Sequence, residues 1–483
     1  MTPIRSEPET PSPDGDAAVQ IVSFYQSQKK IYPRAVTGLF ITWRWILVWV
    51  TQLAFYVTPW LAWNSRPAIL FDLGARRFYV LGLVLYPQDF IYLTALLIVS
   101  AYSLFLFTAV AGRLWCGYAC PQTVYTELFM WVERKFEGDR AARMKLDGAG
   151  WTVERVWRKA AKQAAWIAIA LWTGFTFVGY FTPIRTLAGE VTSLSFGPWE
   201  TFWVFFYSFA TYLFAGTMRE QVCKYMCPYA RFQSAMLDRD TLIITYDAER
   251  GEPRGSRSRK ADPKTLGLGA CIDCNLCVQV CPTGIDIRKG LQYECIGCAA
   301  CIDVCDDVMA KMNYPKGLVR YDTENGMERK LTRAQVLRRT LRPRILVYVA
   351  ILFVVCGALG TSIALRPPFR VDVVRDRTSM ARVVEHGDVE NVYRIQVMNA
   401  TETEQHYSVS VDGLPGLRLR TPVAFDIAPT QSLWVPLTLQ VPFDTAAKTA
   451  PGAHPVHITI VREGAAGQEE RAQREKSSFI LPR

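Results

Sequence analysis

CIDCNLCVQVCPTGIDIRKGLQYECIGCAACIDVC, residues 271–305, holds eight cysteines in two matched runs. The first run is C-x2-C-x2-C-x3-C-P and the second repeats it as C-x2-C-x2-C-x3-C, with Asp306 where a second proline would stand. Three thiolates spaced this closely wrap one corner of a cube, and the fourth must come from a distance. Zinc sites use two-plus-two spacing, which these triplets do not follow. A disulfide framework belongs to short secreted chains, and this one has 483 residues.

The runs have the spacing with which bacterial ferredoxins hold two 4Fe–4S clusters, each run's distant cysteine completing the other run's set. Cys271, Cys274, Cys277 and Cys305 are therefore expected to hold one cluster. Cys295, Cys298, Cys301 and Cys281 are expected to hold the second. Such an α+β module passes single electrons. The proline shapes the backbone and is not a ligand, so Asp306 leaves the ligand set intact.

Outward from this module the chain turns apolar. A bilayer core of about 30 Å needs about 20 apolar residues in a helix. Five stretches qualify, at 37–60, 89–111, 163–183, 198–217 and 345–365. Arg44 lies in the first and needs a partner or access to the interface. The stretch 68–86 is broken by Asp72, Gly74, Arg76 and Arg77 and is expected to be interfacial. Ten Lys/Arg lie between 112 and 162, but only Arg185 between 184 and 197. By the positive-inside rule the N-terminus and both basic segments are cytoplasmic, and the tail after Leu365 is periplasmic in a bacterial inner membrane. Topology thus accounts for the net charge of +11, and no nucleic-acid partner is expected.

Two further cysteine pairs sit at the expected cytoplasmic ends of spans two and four, in RLWCGYACPQ (113–122) and QVCKYMCPYA (221–230). On a helix, i and i+4 share a face, so Cys116, Cys120, Cys223 and Cys227 converge as four thiolates, within one chain or across a homodimer. Soft thiolates suit Cu(I) or another iron–sulfur cluster, with Met218 and Met226 as further soft candidates. The competing reading is small buried cysteines at helix ends, with proline as punctuation. The repeat of hairpin and CxxxCP reads as a loose internal duplication. Cys356, alone in the last span, reads as a packed small hydrophobe.

The ends differ in kind. Residues 1–35 begin polar and Pro/Ser-rich and are expected to be disordered. They lead into a retained first span, not a cleaved signal. After residue 366, β-rich segments such as NVYRIQVMN and HPVHITIV alternate with turn signals and predict a β-sandwich. All four histidines (His386, His406, His454, His457) lie in that tail, so no span supplies a bis-histidine haem. His454 and His457 are close in sequence but read as incidental. The domains are then a tail (1–35), a four-span membrane domain (36–239), a ferredoxin domain (240–343), a fifth span (344–366) and the sandwich (367–483).

WCGYACP and VCKYMCP, the two-cluster module, the last span and the β-rich tail together resemble the cytochrome c oxidase accessory proteins of the FixG/CcoG/RdxA type. SRPAILFDLGARRFYVLG (65–82) and CAACIDVCDDVM (298–309) add to the resemblance, which spans nearly the whole chain except the N-terminal tail. It implies a multi-pass inner-membrane protein that reduces Cu(II) to Cu(I) during assembly of cbb-type haem–copper oxidase. A cytoplasmic electron donor, copper chaperones and oxidase assembly factors are its implied partners, and the tail is implied to be immunoglobulin-like. The family's membrane motif falls on Cys116, Cys120, Cys223 and Cys227, and its cluster ligands on the eight ferredoxin cysteines. An electron conduit to quinone or a periplasmic acceptor, and a non-catalytic assembly scaffold, are the alternatives.

Overall fold

The computed structural model describes residues 30–64, 66–263, 265–376, 381–421, 424–463 and 471–482. Among these, three helices are long and apolar enough to cross a membrane: α1 (Leu39–Val57, extended by a 3-10 turn to Trp60), α2 (Phe90–Ala111) and the late helix Pro343–Ala364. At 1.5 Å per residue, 22 residues reach about 33 Å, which matches the hydrocarbon core.

The other two expected spans are helical but differ in build. A short α3 (Leu114–Tyr118) and α4 (Pro121–Glu137) follow α2. Then α5 runs from Val153 to Val178, so its first third is the charged stretch VERVWRKAAK. α6 (Pro198–Thr211) gives way to a π-helix over Tyr212–Met218, so the fourth apolar stretch is not one continuous α-helix. α5 and α6 pack tightly because Gly174 has no side chain. A Cβ there would lie 2.3 Å from Ser208 Oγ and 2.4 Å from the Val204 carbonyl oxygen. Arg44 on α1 is 4% exposed and meets Glu127 of α4 at 3.1 Å, which removes the cost of an isolated charge.

The cysteine-rich module packs at the end where α1 begins and α2 finishes. Strand Ile243–Tyr246 pairs antiparallel with Val319–Asp322. Ile244, Tyr246 and Val319 form a core with Ile302, Val308 and Met309 of the helix Ala300–Lys311. Asp303 of that helix caps α1, accepting from the amides of Phe40 (3.3 Å) and Ile41 (2.8 Å). Residues 30–35, expected to share the disorder of the tail, are tied down. Lys30 and the Tyr32 hydroxyl both reach Asp147 at 2.7 Å, and the Arg34 amide donates to the Gln279 carbonyl at 2.8 Å. The rest of that tail, 1–29, lies outside the described residues.

At the opposite helix ends lies a sandwich of two antiparallel sheets. One runs Arg418–Leu419, Ser432–Val441, Val389–Asn399, Phe369–Arg375; the other Ala424–Ile427, Gln405–Asp412, Gly452–Arg462, Arg471–Leu481. Alternating residues such as Tyr393, Ile395, Val397, Leu437, Leu439, Ile458 and Ile460 fill the space between. The stretch 68–86, expected to be interfacial and not spanning, folds as a three-stranded sheet (Ile69–Asp72, Arg77–Val80, Leu83–Leu85). Its Leu70, Tyr79, Val84 and Tyr86 pack on Met398 of the sandwich. The Tyr86 hydroxyl donates to the Asn399 carbonyl at 2.9 Å, and buried Asp89 pairs with Arg366 and, at 2.9 Å, with Arg370.

Candidate functional site

The spacing of the eight module cysteines bends the chain around two adjacent hollows. Cys271, Cys274, Cys277 and Cys305 line one of them. Cys281, Cys295, Cys298 and Cys301 line the other, with Cys277 on the wall between. Asn275 and Ala299 hold left-handed backbone inside the C-x2-C turns, which swings successive thiols to the same side. Asp306, in the place of the second proline, accepts from the Gly317 amide at 2.8 Å and ties the helix to the loop after it.

Each hollow suits a four-thiolate iron–sulfur cluster, because the donors are soft and most of the remaining lining is apolar, with Asn275 and Arg288 beside the first and Thr283 beside the second. Burial pushes the thiols of Cys295 and Cys305 up to about 12, and that of Cys277 to about 11. With no cation between them these sulfurs stay protonated, so a bound cationic centre is what makes them thiolates. Cys274 is exposed, whereas the second set is buried or half-buried.

The membrane-motif cysteines do not lie on continuous helices, which corrects the i, i+4 argument. Cys116 sits on the short α3, but the chain leaves the helix at Ala119. Cys120 is extended and precedes the first residue of α4, Pro121. Cys223 sits in a second π-helix, Val222–Met226, and Cys227 precedes Pro228 in α7 (Pro228–Met236) in the same extended conformation. Each proline takes a first-turn position whose N–H would have no helical partner. The two motifs thus share a break that places one cysteine at a helix N-terminus.

The four thiols lie within electrostatic reach of one another. Burial pushes Cys116 up to about 11, with Cys120 and Cys227 adding to the rise. It pushes Cys223 to about 12, with Cys120, Cys116 and Cys227 adding. Cys120 is raised by burial and partly relieved by the Gln122 and Thr123 amides at the start of α4. The Cys116 thiol donates to Gln233 Oε1 at 3.3 Å, and Gln233 is fully buried. Met226 is half exposed. Among the described residues, no three His, Cys, Asp or Glu side chains stand closely enough for one metal ion.

The CxxxCP loop rests directly on the ferredoxin-like loop, and sequence reading missed this. A Cβ on Gly117 would lie 2.7 Å from the Gly297 carbonyl oxygen and 2.9 Å from the Cys298 nitrogen. Gly297 (φ +71) faces the Arg113 carbonyl oxygen in return, at 3.0 Å from its own notional Cβ. Cys116 and Cys223 therefore pack on the cluster formed by Ile296, Cys298 and Val304. Two buried cations flank the junction. Arg113, counted in the sequence only as a loop charge, lowers Cys116, Cys223 and Cys295 against the rise from burial. Arg44 does the same for Cys298. It shares a small cavity with Cys223, Thr283 and Ile296.

The remaining candidates are dispersed. His454 Nε2 contacts the Ala450 carbonyl at 2.7 Å, and His457 Nδ1 lies 3.3 Å from Asp412. His406 Nδ1 lies 2.6 Å from Asp426. Cys356 is exposed on the late helix and is not the packed hydrophobe expected.

Three family profiles match this chain. A 4Fe–4S binding domain covers residues 93–138, a 4Fe–4S dicluster domain 218–324, and an IG-like fold at the C-terminal of FixG 359–482. The nitrogen fixation protein FixG of Rhizobium meliloti is 38% identical over 427 residues, covering 82% of each chain. Protein RdxA of Cereibacter sphaeroides is 40% identical over 402 residues, covering 82% of this chain and 84% of its own. The crystal structure of a FixG-related protein from Vibrio parahaemolyticus is 25% identical, covering 24% of this chain and 96% of that one, with a TM-score of 0.20.

Proposed function

This chain belongs to the family of FixG and RdxA, and from that premise we propose that it is a membrane-bound cupric reductase. One electron converts each Cu(II) substrate ion to Cu(I) at Cys116, Cys120, Cys223 and Cys227. The observation that carries the reading is the seating of Gly117 on Gly297, which leaves no protein layer between the membrane cysteines and the second ferredoxin-like set. Clusters held by Cys271, Cys274, Cys277 and Cys305 and by Cys281, Cys295, Cys298 and Cys301 would supply single-electron transfer from a cytoplasmic donor. The residues of the membrane site favour the reduced product, since soft thiolates bind Cu(I) in preference to Cu(II). Arg113 favours the deprotonated form of Cys116 and Cys223, and the N-terminus of α4 that of Cys120.

In this reading the protein is a five-span inner-membrane protein with its N-terminus and cysteine-rich module cytoplasmic and its sandwich periplasmic. It hands Cu(I) to copper chaperones and to the factors that assemble cbb-type oxidase. The test is the Cys116→Ser/Cys120→Ser double variant. It should lose cupric reduction, read with a Cu(I) chelator, while keeping parental iron content and iron–sulfur absorbance. Full activity in that variant would overturn the site.

One observation favours a second reading. The 4Fe–4S binding profile over 93–138 includes Cys116 and Cys120, which suits a third cluster and a conduit to another acceptor. Iron and acid-labile sulfide separate the two: about eight irons per chain for the module alone, about twelve with a further 4Fe–4S centre.

A further inference from the structure

We propose that the surface beside Cys274 is the docking face for a small acidic protein carrying a one-electron centre. The inference rests on the reading that electrons enter through the cysteine-rich module. Of the module's cysteines, Cys274 is the exposed one, and the second set is pressed against the membrane motif. Entry from solvent is therefore on the Cys274 side.

What surrounds that side is basic. Residues 250–260 read RGEPRGSRSRK, five cations against one acid. This segment lies along the start of the first cysteine run. The amide of Cys271 donates to the Gly251 carbonyl at 3.3 Å, that of Ala270 to the Arg250 carbonyl at 2.8 Å, and that of Gly255 to the Cys271 carbonyl at 3.3 Å.

Arg250, Arg257 and Arg259 are bonded to neutral acceptors, so their charge is not cancelled, whereas Arg254 lies 3.7 Å from Glu252. Arg250 donates to the carbonyls of Pro315 and Lys316. Arg257 donates to the Gly269 carbonyl at 2.6 Å and to the Tyr314 hydroxyl at 3.1 Å, and Arg259 to Asn313 Oδ1 at 3.0 Å. Lys260 and Lys316 are exposed. The acids on this side are engaged. Asp273 pairs with Arg288 at 2.5 Å and lies 3.9 Å from Arg254, and Glu252 accepts from the Tyr246 hydroxyl. A cationic rim around an exposed electron port attracts an acidic carrier, raises its encounter rate, and makes that rate fall with salt.

The test uses the full-length, cluster-loaded protein in detergent, without copper. Reduced flavodoxin, an acidic one-electron carrier, is mixed in by anaerobic stopped flow, and bleaching of the iron–sulfur absorbance is followed. One electron leaves the carrier's flavin for each one gained by the protein. The second-order rate constant should fall about tenfold from low to high salt. The triple variant Arg254→Glu/Arg259→Glu/Lys260→Glu should be at least tenfold slower at low salt, while photoreduction by a small deazaflavin matches the parent. Binding of oxidised flavodoxin, measured by fluorescence titration, should weaken by a similar factor and does not depend on electron transfer. Equal rates and equal binding in parent and variant would overturn the docking face. Because copper is absent, failed cupric reduction beside salt-dependent bleaching would overturn the function proposed above and leave this inference standing.

Discussion

Gly117 and Arg44 each perform a task that no neighbouring residue can take over. Any side chain at Gly117 meets backbone of Gly297 and Cys298, which cannot rotate aside as a flexible side chain would. Gly117→Val is therefore expected to part the two loops. Thermal unfolding should show a loss of about 1–3 kcal/mol, and electron transfer to the membrane cysteines should slow while iron content is kept. Arg44 is matched by Glu127, which also meets Arg134 at 3.2 Å. Arg44→Leu removes one partner of a buried pair and should cost about 3–5 kcal/mol. Adding Glu127→Gln should recover part of that loss in the same melting experiment. Both residues were visible in the sequence, Arg44 as a charge in need of a partner and Gly117 only as a letter inside a motif. A close approach between backbones 180 positions apart has no local signature.

Among the elements, the first helix is held to the cysteine-rich module by Asp303, which lies two residues after Cys301. A carboxylate at a helix N-terminus satisfies amides that lack a helical partner and complements the helix dipole. Asp303→Ala is expected to cost about 1 kcal/mol and to speed amide exchange at Phe40 and Ile41, read by hydrogen–deuterium exchange. The apolar length of α1 and α2 was legible because a helix in lipid needs little beyond length and hydropathy. The π-helices at Tyr212–Met218 and Val222–Met226 were not, since they arise where packing overrides the i to i+4 ladder. The strands at 69–85 were not read either, although the stretch was rightly set apart from the spans. Charges at Asp72, Arg76 and Arg77 were read as interruptions of an apolar run, but Asp72 and Arg77 pair across two strands and Arg76 lies in the turn that joins them.

At the scale of the molecule, the sandwich and the cysteine-rich module sit at opposite helix ends, each fixed by its own contacts. Asp89, buried between Arg366 and Arg370, joins the start of α2 to the entry into the sandwich. Asp89→Ala leaves two cations facing each other and should free this joint, giving faster limited proteolysis near residue 366 with iron content unchanged. Removal of iron should act at the other end. Cys295 and Cys305, pushed up to about 12 when no metal faces them, must lose protons to bind it, so rising pH favours loading and falling pH favours release. Iron-depleted protein should melt at a lower temperature, with the gap narrowing as pH falls, as followed by circular dichroism.

By itself the sequence determined which cysteines share a hollow. The spacing matches that of two-cluster ferredoxins, in which the fourth cysteine of each run completes the other set, and the two hollows are lined in that grouping. It also determined the β-rich tail, through alternation, and the apolar lengths of three helices. Only the tertiary structure decided that the CxxxCP loop lies on Gly297, that Arg113 and Arg44 flank that junction, and that the 69–85 sheet packs on the sandwich. Spacing governs residues whose covalent separation limits where they can go. Contacts between distant segments depend on which surfaces the packed helices bring together.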